Sequence, residues 1–109
     1  MFLLFFDIVS CRNTVLLLLF ANVSFLGGDF NCFPDSEPMA LLKKSWALLS
    51  PVTFSFPSHA PDRYIDYIFV RPNGRKVTVK EASIPQTLQS ADLATASDHL
   101  PVVLTVAID

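Results

Sequence analysis

Three short islands carry side chains suited to chemistry. The first is Gly27-Gly28-Asp29-Phe30-Asn31. In an extended chain, alternation places Asp29 and Asn31 on one side and Phe30 on the other. A carboxylate beside an amide can hold a water and a phosphoryl oxygen together. The competing reading is a turn in which Asp29 accepts from nearby backbone N–H groups. The second island is Tyr64-Ile65-Asp66-Tyr67-Ile68, where Asp66 is the one charge in an otherwise apolar run. A buried carboxylate costs several kcal/mol unless it is paired. Asp66 therefore needs a partner. Arg63 or Arg71 would make it a salt bridge, whereas a histidine would make it functional. The third island is Ser97-Asp98-His99-Leu100-Pro101. Neighbours in an extended chain point to opposite sides, so Asp98 and His99 would do different jobs. Asp98 is a candidate ligand for a hard cation. His99 is a candidate proton-transfer or phosphate-binding group. Taken alone, each island is also compatible with a solvated loop or a local turn.

Together they form a set suited to metal-assisted cleavage of a phosphoester: two carboxylates, an amide, and a His with a buried Asp to orient it. A carboxylate on an imidazole fixes the ring tautomer and stabilises the imidazolium.

The elements that must position these groups follow from pattern. Val23 to Leu26 reads as a buried strand that reaches a turn at Gly27-Gly28. Glu37 to Leu49 reads as a helix, with Ser36 as N-cap, Pro38 in the first turn, and Met39, Leu42, Trp46 and Leu49 at helical spacing. Tyr64 to Val70 is β-branched and aromatic, Arg71-Pro72-Asn73-Gly74 is a turn signal, and Arg75 to Ala82 alternates. The two runs predict a β-hairpin. Ser83 to Ser97 reads as a long polar loop and Pro101 to Ile108 as a last strand. The order of strand, helix and three strands makes the class mixed α/β or α+β.

Composition bounds the rest. At 109 residues the chain fits one small domain, since domains usually run about 100–150 residues. With 51% hydrophobic and 17% charged residues it is not a disordered chain. Its formal net charge is −2, which gives no basic glove for nucleic acid, so any such contact would be local. Lys43, Lys44, Arg75, Lys76 and Lys80 read as solvated surface. Two cysteines, Cys11 and Cys32, are too few for a disulfide scaffold and read as unpaired thiols.

Residues 1–22 form an apolar leader, with runs at Met1 to Phe6 and Val15 to Ala21. Neither reaches the roughly 18 apolar residues of a membrane span. The second has the length of a signal-peptide core, and cleavage near Ala21 would export the chain. Asp7 and Asn13 argue against that, and a core strand or a preceding helix is the simpler reading. Asn22-Val23-Ser24 matches a glycosylation acceptor, which matters only in a secreted eukaryotic protein.

Gly28-Asp29-Phe30-Asn31, Arg63 to Ile68, and Ser97 to Val102 resemble, in order, the last three motifs of the endonuclease/exonuclease/phosphatase superfamily. That superfamily includes pancreatic deoxyribonuclease, abasic-site endonucleases, neutral sphingomyelinases and inositol-polyphosphate phosphatases. The resemblance runs from about Val23 to the C-terminus, so residues 23–109 are expected to be the C-terminal part of that domain. It implies a deoxyribonuclease-like two-sheet α/β sandwich, represented incompletely. It implies that Asp29 orients or deprotonates the attacking water and that Asn31 holds that water and the phosphate. Asp66 would orient His99, His99 would polarise the scissile phosphate, and Asp98 would lie on the metal, Mg²⁺ or Mn²⁺. The stretch Thr53-Phe54-Ser55-Phe56-Pro57 is similar to a family loop that often turns an aromatic toward the site.

Intact members of the superfamily are more than twice this long. Their first half supplies an Asn, the principal metal-binding Glu and often a second His, none of which Met1 to Asn22 matches. The expectation is a divalent-metal-dependent phosphoesterase impaired without that half, which would be its missing partner. The alternative is a non-catalytic fragment or binding module that keeps the motifs as relics. The phosphoester substrate stays open among nucleic acid, sphingolipid, inositol phosphate and nucleotide.

Overall fold

The computed structural model describes residues 2–6, 15–20, 22–51, 53–85, 87–88, 91–92 and 97–109. Nine strands and one short helix are assigned among them: β1 Phe2–Phe6, β2 Val15–Phe20, β3 Val23–Asp29, α1 Glu37–Leu42, β4 Ala47–Leu48, β5 Asp66–Arg71, β6 Val77–Ser83, β7 Thr87–Leu88, β8 Ala91–Asp92 and β9 Val102–Ile108. They build a four-stranded sheet in the order β2-β3-β5-β4, a three-stranded sheet in the order β1-β9-β6, and the small pair β7-β8. Every pairing is antiparallel. The fold is thus a small α/β domain with two antiparallel sheets, compatible with part of a sandwich. No helix among the described residues is long and apolar enough to cross a membrane.

The two sheets meet through Val23 and Phe25 of β3, Ile68 and Val70 of β5, and Val102, Leu104 and Val106 of β9. Strand periodicity sends these alternate residues to one face. The other face of β5 carries Tyr67 and Phe69, which pack with Met39 of α1, Tyr64, Trp46 and Leu48. Because β5 is covered on both faces, Asp66 through Val70 are all buried. A strand buried on both sides reads as a near-continuous apolar run, and this is why Asp66 stands out in the sequence.

Strand β3 lies between β2 and β5 and runs through Gly27 and Gly28 as far as Asp29, past the expected turn. Gly28 has φ +142°, a value that side-chain-bearing residues rarely adopt, so glycine suits this strand end. Both apolar runs of the leader contribute strands: β1 pairs with β9, and β2 pairs with β3. Asp7, Cys11, Arg12, Asn13 and Ala21 lie outside the described residues.

Three expectations change. The helix ends at Leu42 rather than Leu49. Lys43 to Ser45 form a turn, and Ala47 and Leu48 then pair with Val70 and Phe69 at the edge of β5. Trp46 packs on the same apolar cluster as Met39 and Leu42, but Leu49 packs against the core between the sheets, so the four residues at helical spacing do not share one helix face. Ser36 occupies the N-cap position but makes no side-chain capping bond there, while Pro38 sits in the first turn. The hairpin is not formed either. Both edges of β5 are taken by β3 and β4, so the turn at Pro72 to Gly74 carries the chain across to the other sheet, where β6 pairs with β9. Asn73 and Gly74 both have positive φ in this turn, as its sequence predicts. Finally, β7 and β8 interrupt the segment expected to be loop throughout, and residues 86, 89–90 and 93–96 of it lie outside the described set.

Candidate active site

The site forms where the ends of β3 and β5 meet the segment just before β9. Asp29 is the last residue of β3 and Asp66 the first of β5, and the two are directly opposite in the antiparallel register. That pairing brings the two carboxylates together. Both are buried, at 6% and 1% relative exposure.

His99 comes from a loop, and backbone bonds to a second loop hold it in place. The Ser58 N–H donates to the Asp98 carbonyl at 2.8 Å, and the Leu100 N–H donates to the Ser55 carbonyl at 2.8 Å. These bonds bracket His99. Its ring rests against Phe56, with centroids 4.6 Å apart. Phe56 is therefore the loop aromatic that faces the site, while Phe54 is exposed.

The imidazole bridges the two carboxylates. Its Nδ1 lies 2.8 Å from Asp66 Oδ2, a short charge-assisted hydrogen bond, and its Nε2 lies 3.6 Å from Asp29 Oδ2. Asp66 thus finds its partner in the histidine. Neither arginine reaches that role: Arg63 sits 3.6 Å from Asp62, and Arg71 lies over the Trp46 ring at 4.2 Å. Burial alone would push the His99 imidazolium toward losing its proton. The hydrogen bond to Asp66 and the negative charges of Asp66, Asp29 and Asp98 outweigh that, so its pKa lies above the ordinary 6.5.

Asn31 departs from simple alternation. It takes φ +51°, which turns the chain out of the strand and leaves the residue exposed. Its backbone N–H donates to Asp29 Oδ1 at 2.8 Å. The local-turn reading of Asp29 is therefore realised on Oδ1, while Oδ2 faces the His99 ring. The adjoining loop is pinned by Tyr67, whose hydroxyl donates to the Cys32 carbonyl at 2.6 Å. Burial holds this phenol protonated well beyond its ordinary value, so it serves as a neutral donor. Cys32 is a free thiol.

Asp98 is exposed while its neighbour His99 is buried, the opposite orientations expected. Among the described residues, the acidic and imidazole groups close enough to share one cation are Asp29, Asp66 and His99, with ligand atoms within 4.8 Å of one another. Asp98, the predicted ligand, is outside that cluster. Within the cluster, Asp66 and His99 are already hydrogen-bonded to each other. A hard cation prefers oxygen donors, and within the cluster these are the carboxylates of Asp29 and Asp66, whose Oδ1 makes no hydrogen bond among the described residues. The donor chemistry fits a divalent ion in part and leaves most of an octahedral shell to water or substrate.

One contributor was missed in the sequence. Ser55 is fully buried, and its hydroxyl donates to Asp66 Oδ2. A lone Ser in a Phe-Ser-Phe-Pro stretch carries no chemical signal. Only the aromatic resemblance of that loop pointed near it.

A two-sheet α/β domain with a buried Asp–His–Asp chain at its strand ends is of the metal-dependent phosphoesterase-like kind. The sequence profile of the Endonuclease/Exonuclease/phosphatase family matches residues 4–99, most of the chain, and the protein belongs to that family. No curated protein and no solved structure matches it.

Proposed function

We propose that this site hydrolyses a phosphodiester or phosphomonoester by an activated water with the help of Mg²⁺ or Mn²⁺. The observation that supports this reading is the Asp66–His99–Asp29 chain, 2.8 Å on one side of the imidazole and 3.6 Å on the other. Asp66 holds the ring and favours its charged form. His99, protonated nearer neutral pH than an ordinary histidine, presents Nε2–H toward the cleft and polarises a phosphoryl oxygen. Asp29 orients a water and takes its proton, and Asn31 steadies water and phosphate at the mouth. Asp29 would hold the divalent ion, with Asp98 as the further ligand that the resemblance implies, and the ion would neutralise charge on the phosphoryl oxygens. That electrostatic contribution is usually the largest in such reactions. With so few oxygen donors, turnover by these 109 residues is slow.

The test is cleavage of bis(p-nitrophenyl) phosphate and p-nitrophenyl phosphate with Mg²⁺ or Mn²⁺, alongside a chelator and the His99→Ala variant. Slow hydrolysis lost on both treatments is expected. Hydrolysis that survives either one contradicts the reading, and fast turnover contradicts the impaired metal site. Where the rate falls below detection, Mn²⁺ broadening of the Asp29 and Asp98 NMR signals, reversed by Mg²⁺, reads the same site. Absence of broadening at those residues overturns it.

A further inference from the structure

The Asp66 carboxylate is served unevenly. His99 Nδ1 and the Ser55 hydroxyl both converge on Oδ2, while Oδ1 is buried with no hydrogen-bond partner among the described residues. An orphaned oxygen on a buried carboxylate is costly, and a carboxylate free to tilt about the Cβ–Cγ bond would move off its present partners. Something must hold the carboxylate in its present orientation.

Ser55 is placed to do so. It is fully buried, so its hydroxyl has no water to serve and donates to Asp66 alone. Its main chain is equally committed. The Ser55 N–H donates to the Arg63 carbonyl at 3.0 Å, and its carbonyl accepts from Leu100 N–H at 2.8 Å. One residue is thus bonded to the approach to β5, to Asp66, and to the residue after His99. Two donors on a single oxygen define the carboxylate plane where one would leave it free to turn.

We infer that Ser55 is a positioning residue for His99: its hydroxyl locks the Asp66 carboxylate so that the imidazole keeps its proton on Nδ1 and presents Nε2 to the cleft it shares with Asp29. This rests on the reading of His99 as the phosphate-facing group. Ser55→Ala keeps both backbone bonds and removes only the hydroxyl, which separates positioning from scaffolding.

The experiment is ¹⁵N NMR of the histidine rings in the full chain, at a pH above the imidazole titration. Exposed His59 serves as the internal reference for an unrestrained ring. In the unaltered protein, His99 is expected as a single Nδ1–H tautomer. In Ser55→Ala it becomes a mixture of tautomers, and its Nδ1 proton signal is lost to exchange. Ser55→Thr, which keeps a hydroxyl, restores the single tautomer. Circular dichroism checks that each variant is folded. If Ser55→Ala does not fold, Ser55→Cys, close in size but a weak donor, is expected to give the mixture instead. An unchanged Nδ1–H tautomer in a folded Ala or Cys variant overturns the inference, as does a folded Thr variant that loses it. Hydrolysis is not the readout, so a failed phosphoesterase assay would count against the reaction and leave this result standing.

Discussion

Strands β2 and β3 are neighbours in one sheet, and both are rich in apolar residues, yet they have opposite fates. Phe25 of β3 is 1% exposed, while Leu17 and Leu19 of β2 are 59% and 69% exposed. The difference is position. Strand β3 has a partner on each side and the second sheet against one face. Strand β2 lies at the sheet edge, with Leu17 and Leu19 opposite Leu26 and Ser24. Hydrophobicity is a property of the residue, but burial is a property of the place. The site is built on the buried strands, where a carboxylate must be paired and its geometry is therefore defined. An exposed apolar edge defines nothing and invites association.

The sharpest way to break this comparison is in the core. Phe25→Ala is expected to cost about 3–5 kcal/mol in urea unfolding, as large-to-small core changes do. A cost below about 1 kcal/mol would mean that the two sheets do not pack as described.

A smaller effect is expected at the site itself. His99→Ala removes the charged hydrogen bond to Asp66 but leaves the Ser55 hydroxyl in place. A loss of about 1.5–3 kcal/mol is expected, the usual worth of a hydrogen bond to a charged group. Unchanged stability would show that the Asp66–His99 pair is not formed in solution.

The same pair predicts a pH dependence. The folded-state pKa of His99 lies above the unfolded value near 6.5. The protonated ring therefore stabilises the fold fully below that unfolded value. This contribution fades as pH rises through the raised folded value. Urea midpoints should fall across that window in the unaltered protein and stay flatter in His99→Ala. A midpoint that rises there would reverse the sign of the argument.

The least effect is expected at the edge. Leu19→Thr should change stability by no more than about 0.5 kcal/mol, as exposed substitutions generally do. It should also lower self-association in analytical ultracentrifugation. A loss comparable to that of Phe25→Ala would place Leu19 in a core and dissolve the contrast between the two strands.

Much of this architecture could be read along the chain because it depends on local chemistry. Alternation marked β6, an apolar run marked β9, a β-branched and aromatic run marked β5, and Asn73-Gly74 marked a turn. The lone charge in the β5 run marked Asp66 as a residue in need of a partner, and the motif order brought Asp29 and His99 forward beside it. Pairing was a different matter. The turn after Arg71 looks the same whether the next strand returns to β5 or crosses to β9. That choice depends on β3 and β4 having filled both edges of β5. The helix from Glu37 stops at Leu42 because the edge of β5 offers Ala47 and Leu48 a ladder, which no spacing rule contains. Asn31 leaves the line of Asp29 through one left-handed residue. Ser55 became visible only when the fold set its hydroxyl on a carboxylate eleven residues away. A side chain's type and its near neighbours are written in the chain. Which distant group it must satisfy is set by long-range packing, because the cost of a buried unpaired charge is incurred only once the strands have closed around it.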